Sequence, residues 1–198
     1  MYQPGPPPSA PGGQPTPTPG PRPRRRWPWI AGGVGVALVI AIVVGGLVFQ
    51  PWLLFVDTEI DDEIPTAVTS VPAGTEPVAA PVLLSQGDLI SHEHDTSGSV
   101  SVIENPDGSR VLAIENLDTT TGPDVHVWLS AGEVVPGRSG WHTAGDAARV
   151  DLGKIKGNRG DQVYSIPAGT DLAEYPAVVL WCVRFSVSFG AAELHPAA

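Results

Sequence analysis

One uninterrupted apolar run stands out near the beginning of the chain. Residues 27–56 contain no charge, and residues 30–49 consist almost wholly of Ala, Gly, Val, Ile and Leu. About 20 consecutive apolar residues are enough to cross the hydrocarbon core of a bilayer as a helix. The pattern therefore predicts a transmembrane helix region over residues 27–56, with its core at residues 30–49.

A secretory signal peptide is the rival interpretation of this run, because a basic segment followed by apolar residues fits both. A signal-peptide core usually has about 7–15 apolar residues, and a small-residue cleavage site follows it. The run here is longer, and no Ala-x-Ala site follows it closely. We therefore expect an uncleaved anchor.

The charges on either side of the run predict its orientation. Four arginines precede it within residues 22–26, and a cluster of acids follows it within residues 57–63. Positively charged flanks remain in the cytoplasm. We therefore expect a single-pass protein of the cytoplasmic (plasma) membrane, with its N-terminus inside, its C-terminal domain outside and the lipid bilayer as a partner.

The segments on either side of the apolar run lack the pattern of a folded domain. Residues 1–26 contain no acid, are rich in Pro and Gly and end in arginines, which predicts a disordered cytoplasmic tail. Residues 57–81 are acidic and then rich in Pro, Ala, Thr and Val, which predicts a linker.

From residue 82 onward the pattern changes to short runs rich in β-branched and aromatic residues with turn residues between them. The strongest hairpin signal is Asn105-Pro-Asp-Gly108, which joins residues 98–104 to residues 110–116. Further strands are predicted at 125–130, 150–152, 161–166 and 177–190, the last bent or split near Ser186. Asp171 is expected to cap one helical turn over residues 171–175.

This series of short strands predicts an all-β fold, an antiparallel β-sandwich over residues 82–198. The net charge of the chain is −10 at pH 7, and all 21 acidic residues follow Val56. An acidic outer domain argues against binding to nucleic acid or to anionic lipid headgroups. Neither Gly-x-Ser-x-Gly nor a phosphate-binding glycine loop occurs in the sequence, so we expect no substrate turnover of its own.

The only cysteine, Cys182, lies in the last predicted strand. Side chains alternate there with period two, and the face that reads as core holds Val179, Trp181, Val183, Phe185, Val187 and Phe189. Cys182 and Arg184 share the other, less apolar face. An exported lone thiol is packed, reactive or a ligand. We therefore consider Cys182 a redox thiol or cofactor ligand, with Arg184 favouring the thiolate if the two approach.

The histidines are the next candidates. His92 and His94 have a spacing that would place two imidazoles on one strand face, but their segment is polar and loop-like, which favours exposed histidines beside a turn. His126 alternates with residues 125, 127 and 129, which are expected to face the core. His126 is therefore expected on a non-core face, like Cys182. His142 and His195 lie in loop-like and terminal stretches.

The cofactor stays open between none, a non-covalent haem and a metal. Two histidines and a cysteine are the main ligands of a blue-copper site, which often has a Met as a weak axial ligand. The only methionine here is Met1, which is expected on the cytoplasmic side of the membrane. Cys-x-x-Cys-His is absent, which excludes covalent c-type haem. Non-covalent haem through Cys182, His94 or His126 remains an alternative.

Three segments together resemble a known family. They are Gly122-Pro-Asp-Val-His-Val-Trp-Leu-Ser130, residues 151–164 with Asp151-Leu-Gly-Lys-Ile-Lys-Gly, and residues 171–190 around Cys182. In order and spacing they are similar to the DM-thirteen domain, a DOMON-associated family proposed to serve electron transfer outside the cytoplasm. The resemblance covers about residues 84–194, and the chain is identified as a membrane-anchored bacterial member.

The resemblance implies a β-sandwich and a redox role for the cysteine that maps onto Cys182. His94 matches the family's histidine, which also lies just before a Ser-Gly pair, here Ser97-Gly98. Our first hypothesis is a redox or electron-transfer module with a redox or envelope protein partner. The alternatives are a non-catalytic cell-envelope binding module and a metal-binding domain that uses His92, His94 and Cys182.

Overall fold

The structure is a computed structural model that describes residues 1, 3, 5, 27–50, 52, 56–68 and 80–197. Most of the expected disordered tail and residues 69–79 of the expected linker lie outside the described residues. The chain divides into two units, Met1–Ile42 and Val43–Ala198. The second unit contains the sandwich.

Helix α1 spans Trp27–Phe49 and confirms that the apolar run is helical. Its stretch Gly32–Phe49 is long and apolar enough to cross a membrane, and none of that stretch is buried in the structure. A signal sequence near an N-terminus meets the same criteria. Such a helix needs an apolar environment, because its exposed side chains are large hydrophobic residues such as Val34, Leu38 and Ile42.

The described residues form eleven strands arranged in two sheets. The strands are β1 (Glu59–Asp61), β2 (Val82–Asp88), β3 (Ile90–Ser91), β4 (Ser97–Glu104), β5 (Arg110–Asp118), β6 (Val125–Ser130), β7 (Arg149–Lys154), β8 (Arg159–Ile166), β9 (Ala177–Cys182), β10 (Val187–Glu193) and β11 (His195–Pro196). The six-stranded sheet has the order β1-β8-β5-β4-β2-β11, and the five-stranded sheet has the order β3-β10-β9-β6-β7. Only β1 and β8 pair in parallel among these strands.

The main core lies between the two sheets and confirms the predicted β-sandwich. The six-stranded sheet contributes residues such as Val100, Leu112 and Ile114 to it. The five-stranded sheet contributes Val127 and Leu180, among others. All five of these side chains have no exposed surface. Because one face of each sheet packs on the other sheet, apolar side chains recur with period two along the strands.

The structure confirms the hairpin at residues 105–108 and the short turn at residues 171–175 that the sequence predicted. The predicted hairpin joins β4 to β5, and the amide of Asn105 donates to the carbonyl of Ser109 at 2.8 Å. Gly108 adopts φ of +79°, a left-handed conformation that suits glycine. Residues Leu172–Glu174 form a single 3-10 turn, and the carboxylate of Asp171 caps it by accepting from the amide of Ala173 at 3.0 Å.

The last predicted strand is split, as expected, near Ser186. Strand β9 ends at Cys182, the turn Val183–Ser186 follows, and β10 begins at Val187. Ser186 has φ of +53°, the left-handed conformation that reverses the chain direction.

The predicted faces of β9 were wrong. Cys182 and Leu180 lie in the main core between the sheets, whereas Val179 and Trp181 belong to a second buried cluster on the outer face of the same sheet. That outer cluster also holds Ala144, from the loop between β6 and β7. Because this loop covers the outer face, both faces of β9 are buried, and polarity alone does not identify the inner one.

The predicted core face is also divided by the turn. Val187 and Phe189, which follow the turn, join the core between the sheets. Val183 and Phe185, within the turn, are 42% and 45% exposed. A continuous alternation through residues 177–190 therefore does not occur, because the turn resets the register of the side chains.

The segment expected to be a linker begins with residues that belong to the sandwich. Strand β1 pairs in parallel with β8, with Glu59 opposite Arg159. The carboxylate of Asp62 accepts from the amide of Val163 at 2.9 Å and from the ammonium of Lys156. A strand of three residues has no periodicity of its own, so its docking was not visible in the sequence.

Candidate functional site

Cys182 is the last residue of β9 and lies in the core between the sheets. It is 0% exposed and is a free cysteine. It stands opposite Val125 of β6 and Val187 of β10, which are themselves 3% and 8% exposed. A thiol in such surroundings packs as a small hydrophobic side chain.

Arg184 lies in the exposed turn after β9 and not on a strand face beside the thiol. Its guanidinium donates a hydrogen bond to the carbonyl of Val48 at 2.8 Å. Cys182 belongs to the apolar core cluster instead. Within the described residues, no hydrogen bond joins Arg184 to the sulfur, so the structure does not bring the expected pair together.

His126 lies on the outer face of the five-stranded sheet, as predicted from its alternation with core residues. Its Nδ1 is 2.9 Å from Asp151 Oδ2, and its Nε2 is 3.4 Å from Asp124 Oδ1. Lys154 Nζ also binds Asp124, at 2.6 Å, and this hydrogen bond lowers the pKa of Asp124. The imidazole is thus held between two carboxylates on the face opposite to Cys182.

His92 and His94 lie in a bend after β3, not on a strand face. His92 is buried, and its Nδ1 is 2.8 Å from Ser188 Oγ. His94 packs its ring on Phe189 with centroids 3.9 Å apart, and its Nε2 pairs with Glu93 at 2.5 Å. The two imidazoles therefore have separate partners.

Burial is the main influence on both of these histidines. It lowers the pKa of His92 below 6.5, and the carbonyl of Val135 partly opposes this. It also lowers the pKa of His94, against the opposing charges of Glu93 and Asp95. Desolvation disfavours the charged imidazolium in both cases. Burial thus favours the neutral form of both rings.

The remaining histidines act in the scaffold or lie at its edge. His142 Nδ1 donates to the carbonyl of Ser186 at 2.8 Å and so ties the loop after β6 to the turn after Cys182. His195 is exposed in β11. Among the described residues, no group of three His, Cys, Asp or Glu side chains is arranged to hold a metal ion.

Neither haem nor a metal fits at the Cys182 sulfur in this packing. The side chain has no exposed surface and belongs to the apolar cluster to which both sheets contribute. His126, a proposed second ligand, occupies the other face of the sheet, and His94 packs on Phe189. A cofactor at the sulfur would need space and a second ligand that the folded domain does not provide.

The structure shows an aromatic pair that the sequence did not indicate, on the face of the sheet opposite to the thiol. Trp181, the neighbour of Cys182 in the chain, stacks on Trp128 with ring centroids 5.1 Å apart and an angle of 22°. The guanidinium of Arg149 lies 4.3 Å from the centre of the Trp128 ring. The pair forms because β6 and β9 are neighbours, and these strands are far apart in sequence.

Comparison with known proteins places the domain in a family. The model of the family described as Electron transfer DM13 matches residues 88–194, which is more than half of the chain and includes β3 to β10 and Cys182. Searches of the curated proteins and of the solved structures found no match. By this match, the chain belongs to the Electron transfer DM13 family.

Proposed function

We propose that the chain is a membrane-anchored redox module that takes part in electron transfer outside the cytoplasm, with the Cys182 thiol as its redox group. The family match over residues 88–194 is the observation that carries this proposal. The electron partner is another protein of the membrane or cell envelope. The module acts through this partner and turns over no small substrate of its own.

The anchor in this proposal is helix α1. Its described side chains are apolar and exposed, which suits lipid contact. Arginines within residues 22–26 precede the helix and acids within residues 57–63 follow it. This charge difference supports a cytoplasmic N-terminus and an outer sandwich in the cytoplasmic membrane.

Access to the buried thiol is the step that the proposal has to explain. Cys182 is the last residue before the turn Val183–Ser186, and residues in such turns open locally more easily than strand interiors. Val183 is 42% exposed, and Ser186 has φ of +53°, which is uncommon for a residue other than glycine. Opening of this turn exposes the sulfur without unfolding the sheets.

The chemistry that a lone exposed thiol can perform is exchange with a disulfide of the partner protein. The thiol gives its proton to water, and the thiolate attacks one partner sulfur. A new sulfur–sulfur bond forms, the partner's disulfide breaks, and the leaving sulfur departs as a thiolate that takes up a proton. The Cys182 sulfur is thereby oxidised and the leaving sulfur reduced.

The kinetics of thiol labelling test this proposal. The full chain in detergent is mixed with dithiobis(nitrobenzoate), a small disulfide, at a series of urea concentrations. The Cys182→Ser variant gives the background signal. We expect Cys182 to react much faster than the domain unfolds globally. Val183→Gly should speed the reaction, whereas Ala168→Gly, at an exposed site after β8, should not. Reaction only at the rate of global unfolding would overturn the redox role of the thiol.

An absorption spectrum tests the choice of a bare thiol over a bound cofactor. The chain is purified without chelators and measured before and after dithionite. We expect only tryptophan and tyrosine absorption. A Soret or charge-transfer band that disappears in Cys182→Ser would show a cofactor at the sulfur and would contradict this choice.

A non-catalytic binding module of the cell envelope is the second candidate function. The observation that favours it is the complete burial of Cys182, since a thiol packed in a core is usually inert. Under this alternative the thiol reacts only after global unfolding. The same labelling series therefore separates the two functions.

A further inference from the structure

The turn Val183–Ser186 presents apolar side chains to the outside at one end of the sandwich. Val183 is 42% exposed and Phe185 is 45% exposed, with the exposed Arg184 between them. Exposed aromatic and β-branched side chains in a turn gain from leaving water. An arginine between them matches a surface that meets both hydrocarbon and lipid phosphate.

This turn lies against the last turn of helix α1, within the compact unit Val43–Ala198. The rings of Phe185 and Phe49 stack with centroids 5.9 Å apart and an angle of 13°. Arg184 Nη1 donates to the carbonyl of Val48 at 2.8 Å. Phe49 ends the stretch that is able to span a membrane. A residue stacked on Phe49 therefore lies at the level where that stretch leaves the bilayer.

The chain between α1 and the sandwich is too short to hold the domain far from the helix. The segment that begins at Asp57 is fixed to the sandwich, where Asn158 Nδ2 donates to Asp57 Oδ1 at 2.9 Å. The amide of Thr58 donates to Asn158 Oδ1 at 2.7 Å. From Phe49 to Asp57 an extended chain reaches at most about 28 Å. The domain consequently stays beside the membrane surface.

From these contacts we infer that the turn Val183–Ser186 is a membrane-contact surface of the domain. Val183 and Phe185 enter the interface of the bilayer that α1 spans, and Arg184 lies at the level of the lipid phosphates. Aromatic side chains are enriched at this depth of a bilayer. The inference rests on the membrane anchoring in the proposed function and adds a second point of lipid contact to it.

The acidic character of the domain is partly offset at this end, because several of its acids are paired. Arg159 binds Asp57 at 3.1 Å and Asp118 at 3.2 Å. Lys154 Nζ binds Asp124 Oδ1 at 2.6 Å, and the carbonyl of Asp124 accepts from the amide of Val183. Local neutralisation reduces repulsion by anionic headgroups within a Debye length.

Spin labels on the full chain in lipid vesicles test the inference. In the Cys182→Ser background, Phe185→Cys, Ala168→Cys and Ile40→Cys are labelled one at a time. Ala168 is exposed and follows the end of β8 opposite to Arg159, and Ile40 lies within α1. Collision rates with oxygen, which concentrates in lipid, and with a water-soluble nickel chelate report the depth of each label.

We expect the label at position 185 to collide several-fold less with the chelate, and more with oxygen, than the label at 168. The result should hold in phosphatidylcholine vesicles and in vesicles with added phosphatidylglycerol. If labels 185 and 168 are equally accessible to the chelate while label 40 is protected, α1 is a membrane anchor but the turn does not contact the membrane, which overturns the inference. If label 40 is also accessible, the anchoring itself fails. Val183→Cys repeats the measurement at a second exposed site.

Discussion

His126 and Cys182 lie on adjacent strands of one sheet but on its opposite faces. In the register of β6 and β9, Val125 pairs with Cys182, and His126 pairs with Trp181. Paired residues point to the same face, and successive residues point to opposite faces. His126 therefore faces the carboxylates of Asp124 and Asp151, while the thiol faces the core. A shared ligand set of these two residues is incompatible with the fold.

The packing of Cys182 predicts an unusual order of destabilisation for two small replacements. Cys182→Ser places a hydroxyl in hydrocarbon, and an unpaired buried polar group costs about 1–3 kcal/mol. Cys182→Ala leaves a small cavity, which costs about 1 kcal/mol, as for the loss of one methylene-sized group. We expect urea unfolding of the domain to show the serine variant as less stable. Equal stability of the serine variant and the native chain would contradict the buried position of the sulfur.

The docking of β1 depends on a glycine in β8. A Cβ at Gly160, which has φ of +86°, would lie 2.0 Å from the carbonyl oxygen of Ile60. We expect Gly160→Ala to detach β1 and to raise hydrogen exchange at residues 59–61. Gly169→Ala is the matched control, since Gly169 has φ of +82° and open space around it. Equal effects of the two replacements would assign the cost to backbone strain alone.

The same docked segment confers a pH dependence on stability. The hydrogen bond from Lys156, followed by that from the amide of Val163, lowers the pKa of Asp62 below 3.8. The folded state thus favours the carboxylate, so this contribution is complete above the unfolded pKa and is lost as the pH falls through the folded pKa. We expect Asp62→Asn to flatten the fall in stability below about pH 4, as measured by urea unfolding.

A control for this pH effect is Asp146→Asn, because Asp146 is exposed in the loop between β6 and β7. We expect this variant to retain the pH dependence of the native chain. If Asp62→Asn and Asp146→Asn behave alike, Asp62 does not contribute through its contacts with Lys156 and Val163. In the native chain, protection from hydrogen exchange at residues 59–61, relative to the intrinsic exchange rate at each pH, should fall over the same pH range.

The stacked indoles predict a spectroscopic signal. The centroids of the Trp128 and Trp181 rings are 5.1 Å apart, so the electronic transitions of the two indoles couple strongly. Coupled indoles give a paired positive and negative band in far-ultraviolet circular dichroism. We expect Trp128→Phe and Trp181→Phe each to abolish this pair of bands. Trp141→Phe should preserve it, since Trp141 packs under Arg138 instead. Persistence of the bands in Trp181→Phe would contradict the stacking.

Elements that depend on local chemistry were predictable. The turn residues Asn105 to Gly108 produced the hairpin of β4 and β5, and the carboxylate of Asp171 capped its turn. The uncharged run over residues 27–56 contains helix α1. In each case the residues that determine the element are neighbours in the chain, so their effect does not depend on the remainder of the fold.

The surroundings of the candidate residues were less predictable. Arg184 was expected beside the thiol on one strand, but the turn after Cys182 takes its guanidinium to the carbonyl of Val48. His92 and His94 were expected in a polar, loop-like stretch, but the burial of His92 and the separate partners Ser188 and Phe189 were not visible in the sequence. Such outcomes depend on where a strand ends and on which distant strand packs beside it.

By itself, the sequence determined the apolar helix, the series of strands, the main hairpin and the resemblance to the family. Only the tertiary structure decided that Cys182 faces the core between the sheets, and that Trp181, the next side chain, stacks on Trp128 outside it. The physical reason is that period-two alternation separates two faces without stating which becomes the inner one. That choice is made by the opposing sheet and by the loop over the outer face.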